Sequence, residues 1–101
     1  MDQITPKEFA KNADQYILLD VREEEELKIA KISPCLHIPL NQLKEKANEL
    51  DKDKIYIVIC RSGGRSAMAT QYLTSLGFQA MNLKGGILEY KRIVDPTLIS
   101  Y

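Results

Sequence analysis

The residues whose types and spacing could do chemistry are Cys60-Arg61-Ser62-Gly63-Gly64-Arg65-Ser66. A thiol is a working nucleophile only as thiolate, and a free cysteine at neutral pH is mostly protonated. Arg61 and Arg65 are permanent cations, and the two glycines let the backbone curl its N–H groups inward around an atom. A helix starting at Ser66 would add the partial positive charge of its N-terminus. Each feature favours ionised Cys60, and each attracts an anionic substrate. The stretch predicts a cysteine of lowered pKa in a concave, positive cradle. Arg61, Ser62, Gly63, Gly64, Arg65 and Ser66 are the expected substrate contacts. The inert alternative, a buried strand-end cysteine before an ordinary turn, leaves two arginines, two glycines and a helix cap within six residues without a purpose.

The flanking sequence says how such a loop would be held. Ile55 to Ile59 is a continuous apolar, β-branched run, the pattern of a buried parallel strand. After the loop the period becomes helical, with Ser66 expected as N-cap and Ala69, Leu73 and Leu76 on one face. Gly77 stands where a left-handed residue would end that helix. Upstream, Thr5-Pro6-Lys7-Glu8 reads as a capping box with proline in the first turn, preceded by a short strand at Gln3-Ile4. Tyr16 to Val21 is a second apolar strand, whose polar end carries Asp20 and then Arg22. Ligands bind at the carboxyl edge of parallel sheets, so this end and Cys60 should meet. Asp20 is expected to accept backbone N–H bonds and fix the turn after it, since a carboxylate beside the thiol would raise its pKa.

Glu23 to Glu26 reads as the solvated acidic start of a helix closed by Lys28 and Lys31. Leu36-His37-Ile38 is a short strand stopped by Pro39. Leu40 to Leu50 is predicted as an amphipathic helix with Leu43, Ala47 and Leu50 inward. Phe78 to Leu83 is the last strand, Gly85-Gly86 a tight turn, and Ile87 to Val94 a final helix. Alternating strands and helices predict an α/β fold, with a parallel sheet and helices on both faces.

The chain has 101 residues, 45% hydrophobic and 28% charged, with a formal net charge of zero. That length suits a single domain spanning 1–101, and the balance suits a soluble globular protein. Zero net charge gives no pull toward nucleic acid, and no apolar run reaches the length of a membrane span. The first residues lack a basic region followed by an apolar stretch, so a cytoplasmic location is expected. Two cysteines without a Cys-x-x-Cys pair and a single histidine predict no disulfide framework, no metal site and no cofactor. Cys35, beside Pro34, is expected as a small core residue; a role as resolving thiol for Cys60 would require proximity. His37, with no acid partner spaced to it, is expected to pack rather than catalyse.

Leu18-Leu19-Asp20-Val21-Arg22-Glu23, Ile38-Pro39-Leu40, the Cys60 to Ser66 loop, Leu76-Gly77-Phe78 and Leu83-Lys84-Gly85-Gly86 together resemble a single-domain rhodanese, a sulfurtransferase, over about Ile4 to Arg92. The resemblance implies a three-layer α/β/α fold around a central, mainly parallel five-stranded sheet. It implies a Cys60 persulfide formed from thiosulfate or a related small anionic donor, and its transfer to cyanide, a thiol or a sulfur-acceptor protein. Arg22 would then help Arg61 and Arg65 hold the donor; its residue-level alternative is pairing with Glu23 or Glu26. Ala30-Lys31-Ile32-Ser33-Pro34-Cys35 departs from the usual Gly-His-Ile-Pro-Gly-Ala, and Tyr90 replaces a common tryptophan. The competing readings are a persulfide carrier that does not use thiosulfate, a silent binding module, and a cysteine phosphatase or arsenate reductase. Those last two enzymes carry a Cys-x5-Arg loop, whereas arginine here arrives one position early, at Arg65.

Overall fold

Five strands carry the sheet: β1 (Gln3–Ile4), β2 (Ile17–Asp20), β3 (Leu36–His37), β4 (Ile55–Ile59) and β5 (Gln79–Leu83). The computed structural model describes residues 2–101, and Met1 lies outside them. Strand order is β1-β5-β4-β2-β3, and every pairing is parallel. The helices are α1 (Pro6–Lys11), α2 (Glu24–Ile29), α3 (Leu43–Lys46), α4 (Gly64–Ser75) and α5 (Gly86–Ile93).

The two faces of the sheet follow from side-chain alternation along each strand. Tyr56, Val58 and, one step past β4, Cys60 join Leu19, Val21 and Ala80 in a core completed by Leu43 of α3 and by Ala69 and Leu73 of α4. Ile57 and Ile59 join Leu18 and Leu83 in the opposite core, completed by Phe9 of α1 and Ile87 of α5. This is the three-layer arrangement expected, with the sheet wholly parallel. Val58 and Ile59 are fully enclosed, as a central strand covered on both faces must be.

Local signals behave as their chemistry requires, with three departures. Thr5 Oγ1 accepts from the Glu8 amide at 3.1 Å, while the Glu8 carboxylate accepts from the Thr5 amide, closing the capping box. Gly77 takes φ +91° just after α4. The predicted helix over 40–50 is instead the short α3 flanked by 3₁₀ turns at Leu40–Gln42 and Ala47–Glu49. It still buries Leu43, Ala47 and Leu50. Leu76 is 40% exposed rather than inward, because α4 ends at Ser75 and the helical period stops with it. Ser66 is not the N-cap of α4. Gly63 holds that position in the left-handed region, and Ser66 lies inside the first turn.

Candidate active site

Between the end of β4 and the start of α4 the chain must reverse around the Cys60 side chain, and two glycines allow it. Gly63 adopts φ +109°, which any side chain would strain; Gly64 is in ordinary helical conformation, so only one of the two expected positive φ angles occurs there. The second such glycine of the site is Gly86, at φ +65° on the first turn of α5. A Cβ on Gly86 would lie 2.4 Å from the Arg61 carbonyl oxygen and 2.5 Å from that of Cys60. This close approach lets the Ile87 amide donate to the Cys60 carbonyl at 2.9 Å and the Leu88 amide to the Arg61 carbonyl at 3.1 Å. In a trans peptide N–H and C=O point opposite ways. Tying these carbonyls to α5 therefore turns the Arg61 and Ser62 amides away from α5.

The alternation that puts Cys60 on the α4 side aims its sulfur at the first turn of that helix. Cys60 Sγ accepts from the Gly63 amide at 3.1 Å and the Ser66 amide at 3.4 Å, and lies 3.3 Å from Ser66 Oγ. Burial pushes the thiol up, but the Ser66 hydroxyl, whenever its hydrogen faces the sulfur, and the Ser66, Gly63 and Ser62 amides outweigh it and bring the pKa below the ordinary value. The expected lowered thiol is present, but its cause is this set of neutral donors rather than direct pairing with the two arginines.

Both arginines are already engaged. Arg65 grips Glu26 with a two-pronged bond, Nη1 to Oε2 at 2.7 Å and Nη2 to Oε1 at 2.8 Å. Arg65 holds the Glu26 carboxyl down to about 2. Arg61 donates through Nε to the Tyr101 carbonyl at 2.7 Å, with a second contact from Nη2, and lies 5.1 Å over the Tyr101 ring. Tyr101 Oη in turn donates to Glu26 at 3.1 Å.

Arg22 differs most from expectation. It is fully buried, and its five N–H groups are all satisfied. Nε and one Nη2 hydrogen go to Asp20, the other to the Ala30 carbonyl at 2.8 Å, and Nη1 serves the Glu26 carbonyl and Tyr101 Oη. Burial works against its charge, but the Asp20 carboxylate outweighs that and keeps it cationic. A contact with a donor anion would have to displace one of these partners, and the carboxylate Arg22 pairs with is Asp20, not Glu23 or Glu26. Asp20 Oδ1 also accepts the Arg22 amide at 3.0 Å, the turn-fixing bond expected of it. His37 Nε2 donates to the Arg22 carbonyl at 2.7 Å. Cys35 is half-buried against the opposite core from Cys60, so the sheet stands between the two sulfurs.

Sequence reasoning misses four participants, Tyr101 among them. Glu26 belongs to a run that reads as solvated, and Gly86 to a tight turn. Asn82 is 5% exposed, with Oδ1 2.5 Å from Ser66 Oγ and Nδ2 3.4 Å from the Gly63 carbonyl. Its signal is a polar residue near the carboxyl end of the predicted strand Phe78 to Leu83.

Comparison with known proteins agrees with this geometry. The Rhodanese-like domain model matches residues 5–93. The chain is 39% identical over 90 residues to the "Putative sulfurtransferase YtwF" of Bacillus subtilis (strain 168), covering 89% of this chain and 87% of that protein. It is 32% identical over 82 residues to a sulfurtransferase of Allochromatium vinosum, covering 80% and 77%. The crystal structure of a rhodanese-related protein from Thermoplasma volcanium superposes with a TM-score of 0.89 at 37% identity, covering 91% of this chain and 92% of that one. With the five-stranded parallel sheet and the cradled cysteine at its carboxyl edge, the chain belongs to the rhodanese-like domain family.

Proposed function

We propose that this protein is a sulfurtransferase and that Cys60 is its nucleophile. The observation that carries the reading is the cradle: Gly63 and Ser66 amides directed at Cys60 Sγ. The Cys60 thiolate attacks the outer sulfur of thiosulfate or a related donor; the S–S bond breaks and its electron pair leaves with sulfite. Cys60 then bears a persulfide whose negative charge is on the outer sulfur. In this reading the loop amides, directed at Cys60 Sγ, are the pre-set donors nearest to that charge. A second nucleophile, cyanide or a thiol, takes the outer sulfur and returns the thiolate. The relatives named as sulfurtransferases support this class of chemistry.

Access argues for the same size of transferred group. Cys60 is 1% exposed, so a donor must present one protruding atom to the sulfur. A sulfane sulfur fits that demand better than a tetrahedral phosphate, which weighs against the phosphatase alternative. A second reading concerns the donor. Because Glu26 and Tyr101 already occupy Arg65 and Arg61, a persulfide carried by a thiol suits the mouth better than a sulfonate, which must first displace them.

Intact mass after incubation with thiosulfate, or with an alkyl persulfide, tests the proposal. The expected result is a gain of one sulfur atom, absent in Cys60→Ser and removed by cyanide. No gain from any sulfane donor would leave a binding module without catalysis.

A further inference from the structure

Hydrogen counting around Cys60 points to a residue outside the loop. Ser66 has one hydroxyl hydrogen and two acceptors for it, Asn82 Oδ1 at 2.5 Å and Cys60 Sγ at 3.3 Å. The orientation of the Asn82 amide is fixed by its other end. Nδ2 faces the carbonyl oxygen of Gly63 at 3.4 Å, and turning the amide over would set two acceptor oxygens against each other. Ser66 therefore gives its hydrogen to Asn82 and presents a lone pair to the sulfur. A lone pair suits an S–H group and opposes S⁻. When the thiol loses its proton to solvent, the hydroxyl can turn to the sulfur only by leaving Asn82 Oδ1 without its partner, at a nearly enclosed position.

We propose that Asn82 is a positioning residue that competes with the Cys60 thiolate for the Ser66 hydroxyl hydrogen, and so keeps the sulfur more basic than a full bond from that hydroxyl would make it. The consequence for turnover rests on Cys60 being the sulfur-transfer nucleophile. A more basic thiolate attacks faster and leaves more slowly. Once the persulfide forms, the charge has moved to the outer sulfur and the hydroxyl stays with Asn82. The competition thus penalises the empty thiolate and spares the loaded enzyme. The charged groups beside the loop, Arg61 and Arg65 with its partner Glu26, are untouched by a change at Asn82, as is the Tyr101 contact.

The test is the pH profile of Cys60 alkylation by iodoacetamide on the full chain, with Cys60 and Cys35 separated by peptide mass spectrometry. This readout reports ionisation whether or not sulfur is transferred, so it stands apart from the fate of the proposed activity. Asn82→Ala is expected to move the midpoint down by about one pH unit, the worth of one freed charge-assisted hydrogen bond, and to lower the high-pH rate constant about threefold. Asn82→Leu, closer in volume, should do the same if Ala leaves too large a void. In a Ser66→Ala background the Asn82 effect should vanish, and Ser66→Ala alone should raise the midpoint by less than about half a unit. An Asn82 variant whose midpoint stays or rises, an undiminished shift without the serine, or a rise of a full unit in Ser66→Ala would each overturn the proposal.

Discussion

Replacing Glu26 by glutamine separates the two ways in which a sulfonate could meet this site. In the native chain the carboxylate occupies both prongs of the Arg65 guanidinium, with side chains 36% and 18% exposed for arginine and glutamate. Glu26 Oε2 also accepts the Glu23 amide at 2.8 Å, a helix-capping bond that the glutamine carbonyl can retain. The substitution therefore removes the charge with little disturbance of α2. A two-pronged pair this accessible is worth about 1 kcal/mol once solvent screening is counted. A thiosulfate sulfonate displacing the carboxylate has to overcome that amount. Glu26→Gln should accordingly raise kcat/KM for thiosulfate about fivefold in a cyanide-coupled thiocyanate assay. The gain should shrink when ionic strength is raised tenfold, because it is a screened charge effect. With an alkyl persulfide that carries neither carboxylate nor sulfonate, the same variant should change less than twofold. Unchanged or reduced thiosulfate turnover would mean that Glu26 holds Arg65 ready for the donor instead of competing with it, and the occupied-mouth reasoning would fall.

Gly86→Ala should destabilise the fold by about 3 kcal/mol or more, since it strains a positive φ and drives a Cβ into the Arg61 carbonyl. Gly64→Ala, which meets nothing within 4 Å, should change stability by less than about 1 kcal/mol in urea unfolding. Arg22→Met leaves the buried Asp20 carboxylate without its cation and should lose about 3–5 kcal/mol; intact stability with a raised KM for thiosulfate would restore the donor-binding role. Glu26 has its carboxyl lowered from 4.5 to about 2 in the fold. Its ionised form is thus favoured by folding, so the stabilisation is complete above about pH 4.5 and is lost as pH falls toward 2. Urea unfolding of wild type and Glu26→Gln should differ at pH 7 by under about 1 kcal/mol and converge near pH 2.

The fold was legible because its signals are local and repeated. The apolar run before Cys60 can be buried only between two layers, the Thr5–Glu8 box closes over four residues, and Gly77 needs only its own φ. Where a segment lacks such a signal the backbone departs from the pattern. Leu40 to Leu50 carries a helical pattern of apolar residues, but its backbone breaks into 3₁₀ turns without changing what is buried. The surroundings of Cys60 are legible for the same local reason, since the amides that donate to its Sγ come from within six residues of it. What the sequence could not specify was the partner of each long polar side chain. Arg22 takes Asp20, two residues away, and Tyr101, far along the chain; Arg65 reaches back to Glu26. These choices depend on where the sheet edge brings chain ends together, and residue type alone is silent on that.

That distinction between neutral donors and charged side chains bears on how the proposed cycle would turn over. A mouth lined by free guanidinium groups would bind thiosulfate well but would hold the departing sulfite dianion by the same contacts, so the gain in binding would reappear as slow release. A bowl of amides acts on the single sulfur that changes charge, and its donors do not move when the donor's remainder leaves. With Arg22 enclosed, Arg65 on Glu26 and Arg61 on Tyr101, the donors that remain directed at the site are the amides on Cys60 Sγ. Such an arrangement favours the sulfur over whatever carries it. It follows that exchanging one sulfane donor for another should alter the rate of loading far more than the rate at which cyanide unloads the persulfide, a separation that single-turnover kinetics with thiosulfate and an alkyl persulfide would read directly. Donor-dependent unloading would place the carrier, not the sulfur, at the centre of recognition.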